Sequence, residues 1–199
     1  MGRAPRADVR WLIGGGALVL LALLAALFIP ERRARAAAAA PAGPVGASGQ
    51  APPDISAMTP RQRFDRLYAR ALEASQSGDD AGAAQFMPMA MAAYGMLDTI
   101  DADARYHAAL LHLHAGNIAQ ARLLADTILA QDAGHLFGYL VRATAARWER
   151  DDSALRASYQ DFLSHDAAES ARGREEYDAH KATIDETRRL AREAVASGP

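Results

Sequence analysis

Six stripes of apolar residues, spaced three and four apart, run along the chain from residue 64 onward. Phe64, Leu67, Tyr68, Ala71 and Leu72 form the first; Ala83, Phe86, Met87, Ala90, Met91 and Tyr94 form the second. Tyr106, Ala109, Leu110 and Leu113 make the third, and Ile118, Ala121, Ala125 and Ile128 the fourth. The fifth holds Leu136, Tyr139, Leu140 and Ala143, and the sixth Leu155, Tyr159, Phe162 and Leu163. This spacing gives each segment one apolar helical face. No stretch shows the two-residue alternation of a half-buried strand. Thr59 before Pro60 reads as an N-cap and first helical position, and "SQSGDD" as the first break. Pro88, within the second stripe, predicts a kink or a late helix start, which would account for extra length there. The expected fold class is all-α, made of short helical hairpins.

The breaks recur at near-regular intervals. Gly78, Gly116 and Arg150 end alternate helices at offsets of 38 and 34 residues. Seven positions before each break lies Ala71, Ala109 or Ala143, and five positions after it Ala83, Ala121 or Leu155. Nine positions after lies Met87, Ala125 or Tyr159, and twelve after lies Ala90, Ile128 or Phe162. Small residues on both sides of a turn let two antiparallel helices approach closely.

These positions, with "AGNIAQAR" (Ala115–Arg122) as the best single piece, resemble the tetratricopeptide repeat, a helix–turn–helix unit, over three repeats in residues 59–167. The first repeat is four residues too long, Arg150 and Leu155 replace a glycine and a small residue, and the usual proline near the repeat end is absent. The resemblance implies a binding scaffold in which the first helix of each hairpin lines a concave groove. The groove positions would be Asp65, Tyr68 and Leu72, then Asp103, Tyr106, Leu110 and His114, then Phe137, Leu140 and Trp148. Such an aromatic and aliphatic groove, edged by Asp65 and Asp103, suits an extended or helical peptide. The chain's own C-terminal segment is the alternative occupant. That segment, residues 168–199, is highly charged, with Tyr177, Ile184 and Ala191 seven apart as a narrow apolar edge. It reads as a capping helix, or else as a partner-binding one.

The N-terminal region differs from this pattern. Residues 1–10 are a short basic tail, and residues 11–30 are uncharged and apolar, closed by Pro30. The 19 residues from Trp11 to Ile29 would span roughly 28 Å as a helix, close to a bilayer's hydrocarbon thickness. A single-pass transmembrane helix is expected; a cleaved signal peptide competes, but "ERRAR" stands where a cleavage site would be. Three arginines flank the run on each side, so the terminal amine alone tips the count toward an inside N-terminus. The globular part would then be periplasmic, at a bacterial inner membrane. Residues 31–58, rich in alanine, proline and glycine, read as a linker.

Composition narrows the chemistry. With 22 basic and 24 acidic residues the chain advertises no nucleic-acid surface, and its single lysine, Lys181, reflects codon bias of a GC-rich genome. No cysteine is present, which excludes disulfides, thiolate zinc sites and covalent c-type haem attachment. "HAALLHLHAG" (His107–Gly116) carries three histidines, but none at the i, i+4 spacing of a helical zinc pair. His107 and His114 lie roughly 10 Å apart along a helix axis, and His112 is turned away and suits packing between helices. Asp103 and His107, four apart, read as a simple surface hydrogen bond. Met87 and Met91 belong to the core stripe, and Met89 points elsewhere. Serines stand mostly in turns, and the acids of "GDD", "TIDAD" and "RDD" sit at helix starts, where they favour the helix dipole. No cofactor, metal or catalytic residue is expected, and no enzyme. The expected function is a membrane-anchored protein-interaction scaffold that recruits or stabilises a membrane or envelope complex. Its partners would be a protein or peptide and, through residues 11–30, the bilayer. The alternatives are a metal- or haem-handling protein using the Met and His clusters, or a structural subunit of a membrane assembly.

Overall fold

The computed structural model describes residues 58–197; the basic tail, the apolar run of residues 11–30 and the linker before Met58 lie outside the described residues. Among the described residues there are eight helices and no strand. They are α1 (Pro60–Ser77), α2 (Asp80–Tyr94), α3 (Ala102–His114), α4 (Ile118–Gln131), α5 (Leu136–Glu149), α6 (Asp152–Ser170), α7 (Glu175–Ala179) and α8 (Lys181–Ala196). Among them no helix is long and apolar enough to cross a membrane. The pairs α1/α2, α3/α4 and α5/α6 pack as hairpins, α4 also lies on α5, and α8 lies on α6.

Local chemistry sets the helix ends. At α1 the Thr59 hydroxyl accepts from the Gln62 N–H while the Gln62 side chain accepts from the Thr59 N–H, a reciprocal capping box with Pro60 in the first turn. Asp79, Asp101 and Asp151 accept from the N–H groups of Gly82, Ala104 and Ala154, so acids at helix starts act as caps. The breaks at Gly78 and Gly116 have left-handed backbone, with φ of 73° and 74°. Arg150, in the equivalent place, holds φ of 58° without being glycine.

Pro88 does not delay α2, which begins at Asp80 and runs through it. The extra length of the first repeat lies mainly in the connection between hairpins. Residues 95–101 join α2 to α3, seven residues, whereas 132–135 join α4 to α5, four residues.

The small residues do close the helices together. Ala71, Ala109, Ala121 and Ala125 are fully buried, and Ala83 and Ala143 nearly so. At Gly138 a side chain would run into Leu129 of α4, so the α4–α5 crossing itself requires glycine. Phe64, Ala71, Ala90 and Leu111 centre one apolar cluster on the first hairpin; Leu113, Ile128, Phe137, Phe162 and Ile184 belong to a second, larger one. Helix α5 is the most deeply buried of the described helices, through Leu136, Phe137, Tyr139, Leu140, Val141, Ala143, Ala145 and Ala146, and only its last turn, with Trp148, is exposed. So apolar a start to a helix needs neighbours on several sides, and α5 has them in α3, α4, α6 and α8.

The C-terminal stretch folds back rather than continuing the array. Helix α6 extends to Ser170, a turn with Gly173 at φ of 61° follows, and α7 and α8 return. Tyr177, Ile184 and Ala191 are buried. Arg188 of α8 grips Asp166 of α6 with two nitrogens, at 2.5 and 2.8 Å. At the turn, buried Glu169 accepts from Arg172 at 2.7 Å and from Arg174 at 2.9 Å, and both arginines also reach Asp132 in the α4–α5 connection. Burial pushes the Glu169 carboxyl up, but the hydrogen bonds and charges of these arginines overcome that and hold it below its ordinary 4.5.

Two outcomes follow from this packing. Arg150→Gly relieves left-handed strain and should stabilise the fold by about 1 kcal/mol in urea unfolding of the full chain. Because Glu169 is more acidic folded than unfolded, its contribution is present above about pH 4.5 and is lost as pH falls through the folded value. Thermal melts at stepped pH should therefore show stability falling below pH 4.5, with a shallower fall in Glu169→Gln.

Candidate functional site

The first helices of the hairpins pack in sequence, α3 against both α1 and α5. Against α3 and α5 lie Tyr177 of α7 and His180, the residue that follows α7. The Tyr177 hydroxyl accepts from the Leu136 N–H at 2.9 Å, one of the donors that the start of α5 leaves unpaired, and donates to Glu169 at 3.2 Å. Its ring meets Phe137 edge-on at 5.4 Å and His135 at 5.2 Å. These contacts carry the chain one turn on, to His180 at the junction of α7 and α8. There the His180 ring meets Tyr106 and Phe137 edge-on, at 5.1 and 5.0 Å.

His180 thereby reaches α3. Its Nε2 lies 2.9 Å from Asp103 Oδ1 and 3.2 Å from His107 Nε2. His107 Nε2 is 3.6 Å from the same Asp103 oxygen. All three side chains are largely shielded, at 12 to 17% exposure. The His107 ring stacks on Tyr68 of α1, centroids 4.0 Å apart and planes 14° from parallel. Its Nδ1 is buried with no hydrogen-bond partner. The other Asp103 oxygen accepts from Arg61 at 2.5 Å, and the same guanidinium bonds Asp65 at 2.9 Å and Asp101 at 2.6 Å. Two imidazole nitrogens and a carboxylate oxygen thus converge within ligand distance of one point.

The electrostatics keep these groups in defined states. Burial is the main reason that His107 is lowered, to about 4, against the opposing pull of Asp103; its ring is neutral near pH 7. Burial pushes Asp103 up, but the His180 hydrogen bond and the charges around it, Arg61 included, bring it net below the ordinary value. Burial alone accounts for most of the rise at the Tyr106 phenol, which stays protonated. The set offers metal ligands or proton-holding groups.

The residues expected to line a groove fall into three groups. Asp103, Tyr106 and Phe137 meet the C-terminal return, and Asp65 and Tyr68 lie beside them through Arg61 and His107. Leu140 is buried in the larger core, with Leu110 packed against it. Leu72 is half-buried, His114 bonds back to the Leu110 carbonyl at 2.8 Å, and Trp148 is 46% exposed at the far end of α5. His112 is half-buried, and burial lowers it. The three histidines of "HAALLHLHAG" do have separate surroundings. One of them, His107, nevertheless shares a cluster with His180, 73 residues away. Sequence spacing left His180 out because neither helical period nor motif links it to α3; the one available signal was the Asp103/His107 pair four apart.

A second feature lies on the outer side of the first hairpin. A groove of about 440 Å³ runs between α1 and α2, lined by Met58, Leu67, Phe86, Met89, Ala92, Ala93 and Met96 and edged by Arg63, Arg66 and Arg70. Met89 and Met96 are 43% and 63% exposed. Met87 and Met91 instead pack against the first-hairpin core. Among the described residues, Arg63 and Arg66 have no carboxylate partner, and the Arg63 Nε is buried and unpaired. Arg70 lies over the Phe86 ring and 3.8 Å from Glu73.

Removing the Tyr177 hydroxyl orphans the first N–H of α5 and loosens the segment that delivers His180. Tyr177→Phe should cost about 1–2 kcal/mol and speed hydrogen exchange at the Leu136 amide, both readable by urea unfolding and exchange mass spectrometry. Comparisons of the chain with protein-family models, with curated proteins and with solved structures gave no match.

Proposed function

We propose that this chain is a membrane-anchored, tetratricopeptide-like adaptor that binds an acidic, amphipathic helical segment of a partner protein in the groove between α1 and α2. The arginine-edged apolar groove carries this reading. A stack of helical hairpins leaves an apolar face at each end unless something covers it. Here α8 covers the C-terminal end by lying on α6, whereas the α1–α2 end presents Met89 and Met96 to solvent. A helix laid there would pack as the next helix of the array would. Helix-in-groove binding reads apolar anchors at i, i+3, i+4 and i+7.

Charge selects the occupant. Arg63, Arg66 and Arg70 stand along one edge, two of them unmatched by carboxylates among the described residues. The 31–58 linker of the same chain reaches the groove only with its last residue, Met58, among the described residues, and with two acids, Glu31 and Asp54, against three arginines of its own it suits this edge poorly. Flexible methionines adapt to varied apolar anchors. In this reading the concave face, filled in its second and third repeats by Tyr177 and His180, is a structural seam and the end groove is the interaction surface. Residues 11–30 hold the adaptor to a bilayer, bacterial and with the globular part periplasmic, and the partner is brought to a membrane or envelope complex.

The test uses the full chain in mild detergent and a defined probe, a helical peptide with leucines at i, i+3, i+4 and i+7 and glutamates on the flanking face. Fluorescence anisotropy should give micromolar binding that weakens with salt. Arg66→Glu combined with Arg70→Glu should weaken it at least tenfold, about 1.4 kcal/mol. No binding, or binding indifferent to the double variant, rejects the groove.

A further inference from the structure

We infer that Asp103, His107 and His180 form a binding site for one first-row divalent metal ion, of the zinc type, which staples the C-terminal return to α3. The site stands apart from the α1–α2 groove, and neither depends on the other.

Geometry is the first support. The three donor atoms make a triangle with sides of 2.9, 3.2 and 3.6 Å. A point about 2.1 Å from each exists about 0.9 Å above that triangle, and the pairs subtend about 90 to 120° there; zinc binds imidazole nitrogen and carboxylate oxygen at about this length. The angles leave room for one or more further ligands, as in sites with three protein donors.

The second support is the crowding of lone pairs. Three electron-rich atoms face each other with at most two ring protons to separate them. His180 Nε2 lies near both other donors, and one N–H points well at only one of them. A cation replaces this arrangement with three attractive contacts. Coordination through Nε2 puts the His107 proton on Nδ1, which is buried and unpartnered in either tautomer, so the metal adds no new orphan there.

Charge and orientation agree. The single guanidinium of Arg61 faces Asp65, Asp101 and Asp103, leaving two negative charges uncompensated, the complement of a divalent ion. Arg61 also fixes Asp103 by one oxygen and turns the other toward the histidines. Stacking on Tyr68 sets the plane of His107. Two imidazoles and one carboxylate, without thiolate, favour zinc, nickel, cobalt or copper(II) over magnesium or calcium.

The experiment uses the full chain, purified without a histidine tag and stripped with EDTA. Zinc added alone should be retained at one ion per chain and raise the melting temperature. His107→Gln and His180→Gln keep hydrogen-bonding capacity and should each lower zinc affinity at least tenfold. His112→Gln and His114→Gln should leave it unchanged. Cobalt(II) should give visible ligand-field bands that are lost in His180→Gln. Should a variant lose its helical circular dichroism, the wild-type spectrum and stoichiometry decide, with Asp103→Asn as the further variant. Absence of stoichiometric retention by the wild type, or retention indifferent to both His→Gln changes, overturns the site.

Discussion

The helices of this protein meet through alanine and glycine, and the remaining architecture depends on that close approach. With Ala71, Ala109, Ala121 and Ala125 buried at the hairpin contacts, neighbouring backbones come near enough for short connections to suffice. Larger residues then fill the space between hairpins, with Phe64, Phe137 and Phe162 wholly enclosed. The same geometry encloses the N-terminal half of α5 within the stack, where Gly138 lets α4 cross it at Leu129. Enlarging such contacts would force backbone shifts rather than side-chain adjustment, because interiors are already close-packed.

A stack built this way must end somewhere, and its two ends are treated differently. At the C-terminal end the chain reverses after α6, and the reversal is fixed by ions as much as by apolar contact. Glu169, nearly buried, is held by Arg172 and Arg174, which also bridge to Asp132. A buried carboxylate is costly unless its partners are placed before it is desolvated; here both arginines lie within five residues of it in sequence. The reward is positional: Tyr177 closes the start of α5 and His180 arrives against α3. At the other end, arginines edge an apolar groove that no described residue fills.

Where the return meets α1, α3 and α5 there is consequently a crowded aromatic and imidazole seam. Tyr68, Tyr106, His107, Phe137, Tyr177 and His180 contact one another in edge-on and stacked pairs. The ring faces and edges orient polar nitrogens that would otherwise be free to rotate. Asp103 is the acid that meets both His107 and His180 in this seam, and Arg61 keeps it there. Binding chemistry at the seam and binding chemistry at the end groove draw on different residues, so the two surfaces respond to different changes.

Much of the helical plan was legible in the sequence, since it rests on short-range rules. The six stripes fall in α1 through α6, the Thr59–Pro60 start is a capping box, and the breaks at Gly78, Gly116 and Arg150 are left-handed turns. Period, capping and turn chemistry act within about ten residues, where sequence order and spatial order coincide. Two features depend on more than that. Pro88 marked neither a delayed helix nor the extra length, because packing against α1 carries α2 through it. The union of Asp103, His107 and His180 is set by the reversal at Gly173 and by the hold of Tyr177 on α5. Residues 73 and 77 positions apart meet only when a whole hairpin stack lies between them. The sequence by itself determined the helices and their ends; the tertiary structure decided which side chains face each other across them, because that is fixed by the packing of distant surfaces rather than by any local period.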